Sequence, residues 1–392
     1  MNIPQLQCAD RFNGITGSAI REIFKLLAKP GMISFAGGNP AASALPDGDM
    51  AKIAADVLAS DGKRILQYGA TEGYAPFLEI LKVYTAEHFG IDPEQNGVLP
   101  TTGSTQGMSL LLSALINPGD VILVEDPTFL GNMQSMRLMQ AHLEPVVSDD
   151  EGMDTDDLEQ KIIRFHPKLI YVIPTFQNPT GRTIGIERRR RIAELSAKYG
   201  VIVAEDDPYH DLRYSGQELP TIKSFDREGF VVFMGSFSKV ISPGLRVGFL
   251  AAAPNILRKC TIAKQASDLH TALLNQAMCA EYMRRGMLEP HIKAICADYA
   301  LQLNAMLEDL SQIDAFEWYT RPEGGLFIFA SLSDGRNAAE LLARSVENNV
   351  AYVPGTHFYS GGGHENTLRL NFSMASVDDI HRGMEILKKV FG

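Results

Sequence analysis

The run Phe230-Val231-Val232-Phe233-Met234 leads through Gly235 into Ser236-Phe237-Ser238-Lys239, joining an apolar strand to a cluster of reactive groups. Arg246 follows one short loop later, in Pro243-Gly244-Leu245-Arg246-Val247-Gly248. A lysine amine attacks an aldehyde once it is neutral, and burial beside other cations favours the neutral form. Two hydroxyls and a guanidinium bind a phosphate dianion by charge-assisted hydrogen bonds. The set therefore suits an aldehyde that carries a phosphate. On these residues alone, a plain surface loop is an equal alternative.

Working outward, Val121-Ile122-Leu123-Val124, Leu169-Ile170-Tyr171-Val172-Ile173, Val201-Ile202-Val203-Ala204 and Val247-Gly248-Phe249-Leu250 are further short apolar runs. They read as strands buried on both faces. Helix-like segments at Asp156 to Phe165 and Glu187 to Tyr199 lie between them, which predicts an α/β fold with a mostly parallel sheet and crossover helices. Such sheets carry ligands at the carboxyl ends of their strands. Asp126, Asn178, Asp206 and Lys239 all fall there, so four polar groups are expected on one rim. Beyond about residue 254 the pattern turns to long helices, then to Gly324–Phe329 and Thr367–Phe372 as strands of a smaller sheet. A helix expected at Gly17 to Lys29, with Ile20, Ile23, Phe24 and Leu27 on one face, precedes the loop Phe35-Ala36-Gly37-Gly38-Asn39-Pro40. The expected organisation is an amino-terminal arm over residues 1–43, a large domain over 44–287 and a smaller α+β domain over 288–392.

At 392 residues the chain is long enough to enclose a buried site, and its 45% hydrophobic content suits a globular protein. A net charge of −11 argues against a nucleic-acid or anionic-membrane surface, which needs clustered Lys and Arg. The basic run Arg188 to Arg191 begins an amphipathic helix and reads as a solvated face. Cys8, Cys260, Cys279 and Cys296 show no paired spacing, which fits reduced thiols in a cytoplasmic protein. The amino terminus lacks a basic segment followed by a long apolar one, and no run of about 18 apolar residues occurs, so neither export nor membrane insertion is expected. The histidines show no metal-ligand spacing.

Other segments supply further parts: Thr102-Gly103-Ser104-Thr105-Gln106-Gly107 before an apolar helix, Asp126-Pro127-Thr128-Phe129, Gln177-Asn178-Pro179-Thr180-Gly181, Glu205-Asp206-Asp207-Pro208-Tyr209 and Leu368-Arg369-Leu370-Asn371-Phe372. Taken together, the chain from about residue 20 to 375 resembles the class I/II aminotransferases of fold type I, which use pyridoxal 5′-phosphate. Ser34-Phe35-Ala36-Gly37-Gly38, Gln67-Tyr68-Gly69-Ala70-Thr71-Glu72-Gly73-Tyr74 and Glu205 to Tyr209 are similar to the group containing 2-aminoadipate, kynurenine and aromatic transaminases.

The resemblance implies that Lys239 is the Schiff-base lysine and proton carrier, and that Asp206 pairs with the pyridine nitrogen. Asn178 and Tyr209 would hydrogen-bond the phenolic oxygen, and Phe129 would stack on the ring. Ser104, Thr105 and Gln106 would present a helix start to the phosphate, beside Ser236, Ser238 and Arg246. Arg369 would grip the substrate α-carboxylate, helped by backbone at Gly38. Tyr68 would reach the phosphate of a neighbouring subunit, which implies a homodimer with shared sites. Arg21 would pair with an acidic substrate side chain or turn outward for an apolar one.

The expected activity is transfer of an amino group from an acidic or aromatic L-2-amino acid to a 2-oxo acid, 2-oxoglutarate, in a ping-pong cycle. A β-eliminating lyase on the same platform is an alternative. A non-catalytic sensor is another, disfavoured because little chain precedes the resemblance and none of it is a DNA-binding module. A cofactor-free ligand-binding α/β protein would leave Lys239, Asp206 and Asn178 as coincidences.

Overall fold

A computed structural model describes residues 8–13, 15 and 31–392. The expected helix at Gly17 to Lys29, and Arg21 with it, lie outside the described residues. The first strand, β1 (Ile33–Ser34), pairs in parallel with a segment far along the chain, Val350–Ala351.

The main sheet is built from β2 (Gly97–Thr101), β3 (Val121–Asp126), β4 (His142–Asp149), β5 (Gly152–Met153), β6 (Leu169–Val172), β7 (Ile202–Asp206), β8 (Val231–Ser236) and β9 (Gly248–Ala252). Its spatial order is β2-β9-β8-β7-β6-β3-β4-β5. The central strands β8, β7, β6, β3 and β4 run parallel, and β2, β9 and β5 pair antiparallel. Val247–Leu250 was expected among the parallel strands, but β9 returns antiparallel to β8. Residues 237–247 are too few for the crossover that a parallel return requires.

Strand period puts alternate side chains on opposite faces of the sheet. Ile122, Val124, Tyr171 and Ala204 join the larger apolar cluster, whereas Leu123, Ile170, Val172 and Val203 join a second one with Ile192 and Leu195 from the helix Ile186–Tyr199. That helix also corrects the reading of Arg188 to Arg191 as one solvated face. Arg188, Arg190 and Arg191 pair with surface carboxylates, but Arg189 is fully buried. Its guanidinium donates to the carbonyls of Ile184, Pro174 and Pro220 and to Thr175 Oγ1. One helical step carries Arg189 from the rim of the face to its inner side, where loop carbonyls accept its donors.

The smaller sheet has the order β10-β11-β14-β13, formed by β10 (Phe316–Tyr319), β11 (Phe327–Leu332), β13 (Val353–Pro354) and β14 (Thr367–Asn371), with β12 (Val350–Ala351) paired to β1. Gly324 and Gly325 were expected to open β11, yet the strand begins at Phe327. Gly324 instead fits where a Cβ would overlap the Leu212 carbonyl and the Phe176 ring. The loop after β1 is stitched to this sheet: Phe35 N–H donates to Ala351, Asn371 N–H to Phe35, and Ser373 Oγ to the Asn39 carbonyl. Gly38 is thereby held over the carboxyl ends of the main sheet. Among the described residues, no helix is long and apolar enough to cross a membrane.

Candidate active site

The carboxyl ends of β6, β7 and β8 open on a cavity of about 600 Å³ that reaches the small sheet. Asp206 ends β7, Asn178 follows β6, and Ser236, Ser238 and Lys239 end or follow β8. Asp126 does not join them. Its carboxylate accepts the Ser360 N–H at 3.0 Å, so the loop from the small sheet takes this fourth rim position.

At one end of the cavity the helix Ser104–Leu115 begins, with Gly103 as its cap residue and no capping side chain. Ser104 and Thr105 line the cavity at that start, where N–H groups and the helix dipole favour an anion. Gly103 has φ +77° and ψ 166°, and a Cβ there would overlap Arg246 Nη2. Arg246 itself has φ 52°, a left-handed conformation uncommon for a side-chain-bearing residue. Its Nη2 donates to the Thr102 carbonyl at 3.1 Å, and Ser238 N–H donates to Ser236 Oγ at 3.2 Å. A guanidinium, hydroxyls and a bare helix start thus converge. The Gln106 side chain turns away from the lining: its amide donates to Asp268 at 2.6 Å and accepts from Lys264 at 2.9 Å.

In the middle of the cavity, Asp206 is buried and accepts from Asn132 Nδ2 at 3.0 Å and Tyr171 Oη at 2.9 Å, both on Oδ2. Oδ1 is buried and has no hydrogen-bond partner among the described residues. Burial pushes the carboxyl up to about 7, against the Tyr171 hydrogen bond, with the charge of Asp207 adding to the rise. An N–H bearing positive charge is what this oxygen lacks, so a protonated pyridine ring fits it. Phe129 lines the same region. Lys239 Nζ donates to the Gly38 carbonyl at 2.7 Å. Burial lowers its pKa to about 8, helped by the charges of Arg369 and Arg246.

At the other end, Arg369 on β14 is buried, and its Nη1 and Nη2 donate to Asn178 Oδ1 at 2.8 Å and the Ala36 carbonyl at 2.7 Å. Its guanidinium carbon lies 4.2 Å from the Phe327 ring centre and 5.0 Å from that of Phe358. Nε is buried without a partner among the described residues. Asn178 Nδ2 donates to Tyr209 Oη at 3.3 Å, and burial raises the Tyr209 phenol to about 12. Gly38 lines this end. Tyr68 lies elsewhere, 80% exposed on the surface, its ring edge-on to His270 at 6.2 Å.

Sequence reasoning missed Asn132 and Tyr171, which hold Asp206. Tyr171 is the one hydroxyl in Leu169–Ile173, a signal that was available; Asn132 sits unremarkably on the helix Leu130–Leu138. Also missed was the layer behind Asp206, where Asp207 accepts from His210 Nδ1 and Thr175 Oγ1 at 3.0 Å each. Burial disfavours the His210 cation, but Asp207 and Glu218 override it and raise the imidazole to about 10.

The family model for aminotransferase class I and II matches residues 30–387. The chain is 39% identical over 381 residues to aromatic-amino-acid aminotransferase 1 of Thermococcus litoralis, covering 95% of this chain and 91% of that one. It is 40% identical over 377 residues to 2-aminoadipate transaminase of Thermus thermophilus, covering 95% and 93%. Among solved structures, α-aminoadipate aminotransferase of Thermus thermophilus, complexed with N-(5′-phosphopyridoxyl)-L-leucine, superposes with a TM-score of 0.90 at 38% identity, covering 98% and 97%.

Proposed function

This chain belongs to the class I and II aminotransferases, a pyridoxal 5′-phosphate-dependent transaminase of fold type I, and we propose that its donors are acidic and aromatic L-2-amino acids and its acceptor 2-oxoglutarate. The donor range is supported by its relatives, one an aromatic-amino-acid aminotransferase and another a 2-aminoadipate transaminase. The observation that carries the reading is one cavity shared by Lys239, the unpartnered Oδ1 of Asp206, the Ser104/Arg246 cradle and Arg369. When bound, the cofactor supplies an aldehyde carbon that takes up the amino group and a protonated ring that accepts electrons from the breaking C–H bond.

Each side chain then has a task. Lys239 attaches the aldehyde and, once the donor amine has taken its place, carries the proton between the substrate Cα and the cofactor C4′. Its depressed pKa, about 8, keeps a usable fraction of neutral amine at physiological pH. Asp206 Oδ1 receives the ring N–H, while Asn132 and Tyr171 hold the other oxygen and favour the anion. Phe129 stacks on the ring, and Asn178 and Tyr209 bond its phenolic oxygen. Ser104, Thr105, Ser236, Ser238 and Arg246 hold the phosphate. Arg369, oriented by Asn178 and two phenyl rings, holds the α-carboxylate with backbone of Gly38. Product 2-oxo acid leaves before the acceptor enters, which makes the cycle ping-pong. Tyr68, exposed on its own subunit, reaches the phosphate of a partner in a cytoplasmic homodimer. A role for Arg21 toward an acidic substrate side chain falls outside the described residues.

The test is a matrix of donors against acceptors with the purified enzyme. Glutamate, 2-aminoadipate and aromatic amino acids should each aminate a 2-oxo acid, with parallel double-reciprocal lines. Pyruvate and ammonia released without any acceptor would instead establish a lyase.

A further inference from the structure

Behind the phosphate end of the cavity lies a buried cation that the reaction does not use. Lys264, on the helix Pro254–Ser267, is fully buried and does not line the cavity. Its Nζ donates to both carboxylate oxygens of Asp268, to Gln106 Oε1 and to Thr271 Oγ1, each at 2.9 Å. Gln106 completes the knot: Nε2 donates to Asp268 Oδ2 at 2.6 Å, and Oε1 accepts the Thr102 N–H at 2.7 Å. Thr102 Oγ1 donates to Asp268 Oδ2 at 3.3 Å, and the Thr102 carbonyl accepts from Arg246 Nη2 at 3.1 Å. All three polar groups of Thr102 are therefore engaged, two directly by the Gln106–Asp268 pair and one by the arginine of the cradle.

The geometry points to Lys264, with Asp268 and Gln106, as the positioning unit that sets the Thr102-Gly103-Ser104 turn in register with Arg246 for recognition of a phosphate monoester. This rests on the reading of the phosphate end given above. The physical argument is one of rigidity. Gly103 is free to adopt many backbone conformations, so the helix start it introduces is only as well aimed as the residue before it. Thr102 is anchored through neutral and charge-assisted hydrogen bonds to an ion pair whose lysine head is sealed from water. Removing Asp268 leaves the Lys264 charge buried and uncompensated, and removing Lys264 loosens both Asp268 and Gln106, so the unit depends on the pair. Lys264 also donates to Thr271, whose hydroxyl donates on to the Pro100 carbonyl at 3.3 Å, so the end of β2, which runs directly into the turn, is tied to the same cation. Lys264 itself touches neither the phosphate nor the reacting atoms; it acts through Gln106 and Thr102.

The experiment compares the full-length wild-type protein with Lys264→Met and Asp268→Asn, each depleted of cofactor and titrated with pyridoxal 5′-phosphate and with pyridoxal, which lacks the phosphate. Thermal midpoints are read in parallel. Asp268 is partly exposed, so Lys264→Met leaves a carboxylate that water can reach and carries the test if Asp268→Asn, which strands the buried lysine, is too unstable to purify. The expected result is a loss of about tenfold or more in affinity for the phosphate ester, worth about 1.4 kcal/mol, with pyridoxal affinity changed less than about twofold. Equal weakening toward both compounds, or no weakening toward either, overturns the proposal, because a merely structural tie lowers the midpoint without discriminating the phosphate. A wild-type protein that binds both compounds equally would overturn the phosphate-end reading itself, and the proposal with it.

Discussion

Replacing Gly103 by Ala tests the cradle at the point where the backbone leaves no latitude. The residue sits at φ +77° and ψ 166°, in a region that only glycine adopts freely. A Cβ there overlaps Arg246 Nη2 and comes within 3.0 Å of Cζ. Two costs follow, and they are read in different assays. The strained backbone costs about 1–3 kcal/mol of folding stability. On the proposed phosphate role, displacement of Arg246 would remove a charge-assisted hydrogen bond worth about 1.5–3 kcal/mol, which would weaken cofactor binding by about 10- to 100-fold. The assay is equilibrium titration of cofactor-depleted protein with pyridoxal 5′-phosphate, followed by absorbance, with pyridoxal as the comparison ligand. Arg246 has no role in holding pyridoxal, so that affinity should be nearly unchanged. An unaltered dissociation constant for the phosphate ester in a folded Gly103→Ala protein would refute the reasoning, as would an equal loss for pyridoxal.

Further outcomes follow from the same geometry. If Arg369 holds the substrate carboxylate as proposed, Arg369→Ala should lower kcat/KM for every 2-amino acid and 2-oxo acid by about 100-fold or more, with cofactor affinity retained; unchanged kcat/KM would reject its role. Arg189→Met removes the side-chain donors to the carbonyls of Ile184 and Pro220 and one of two donors to that of Pro174, and should cost about 3 kcal/mol or more in urea denaturation, whereas Arg190→Met stays within about 0.5 kcal/mol; equal effects would contradict the burial difference. Only the neutral amine of Lys239 captures an aldehyde, and its pKa is lowered from 10.5 to about 8, so the capture rate should rise with pH up to about 8 and level off above. A rate still climbing at pH 10 would show an amine at its ordinary pKa.

What the sequence made legible were features carried by short-range patterns. Continuous apolar runs marked β3, β6, β7 and β8 because strands buried on both faces need no polar alternation. Asn178, Asp206 and Lys239 were legible because topology directs strand ends to one rim, whereas Asp126, at the end of β3, is taken up by the loop at Ser360. β4 escaped because it is half-buried or exposed along its length, with Val146 alone fully buried, and carries His142 and Glu144. The direction of β9 depended on a loop length, and Arg189 on which side of a helix faces an unpaired loop. Gln106 was placed with its neighbours by adjacency alone; helical rotation turns its side chain toward Lys264, a partner 158 residues away that no local pattern announces. Asn132 and Tyr171 act on Asp206 rather than on a ligand, and partners of that kind are set by packing.

The most direct measurement is the absorption spectrum of the purified protein supplied with pyridoxal 5′-phosphate, recorded before and after L-glutamate is added without an acceptor. Lys239 as the attaching amine and transamination as the reaction predict a visible band that disappears on glutamate addition as the pyridoxamine form accumulates, and returns on addition of 2-oxoglutarate. A band that persists unchanged with glutamate, 2-aminoadipate and aromatic donors alike, or the failure of any band to form, would contradict the account.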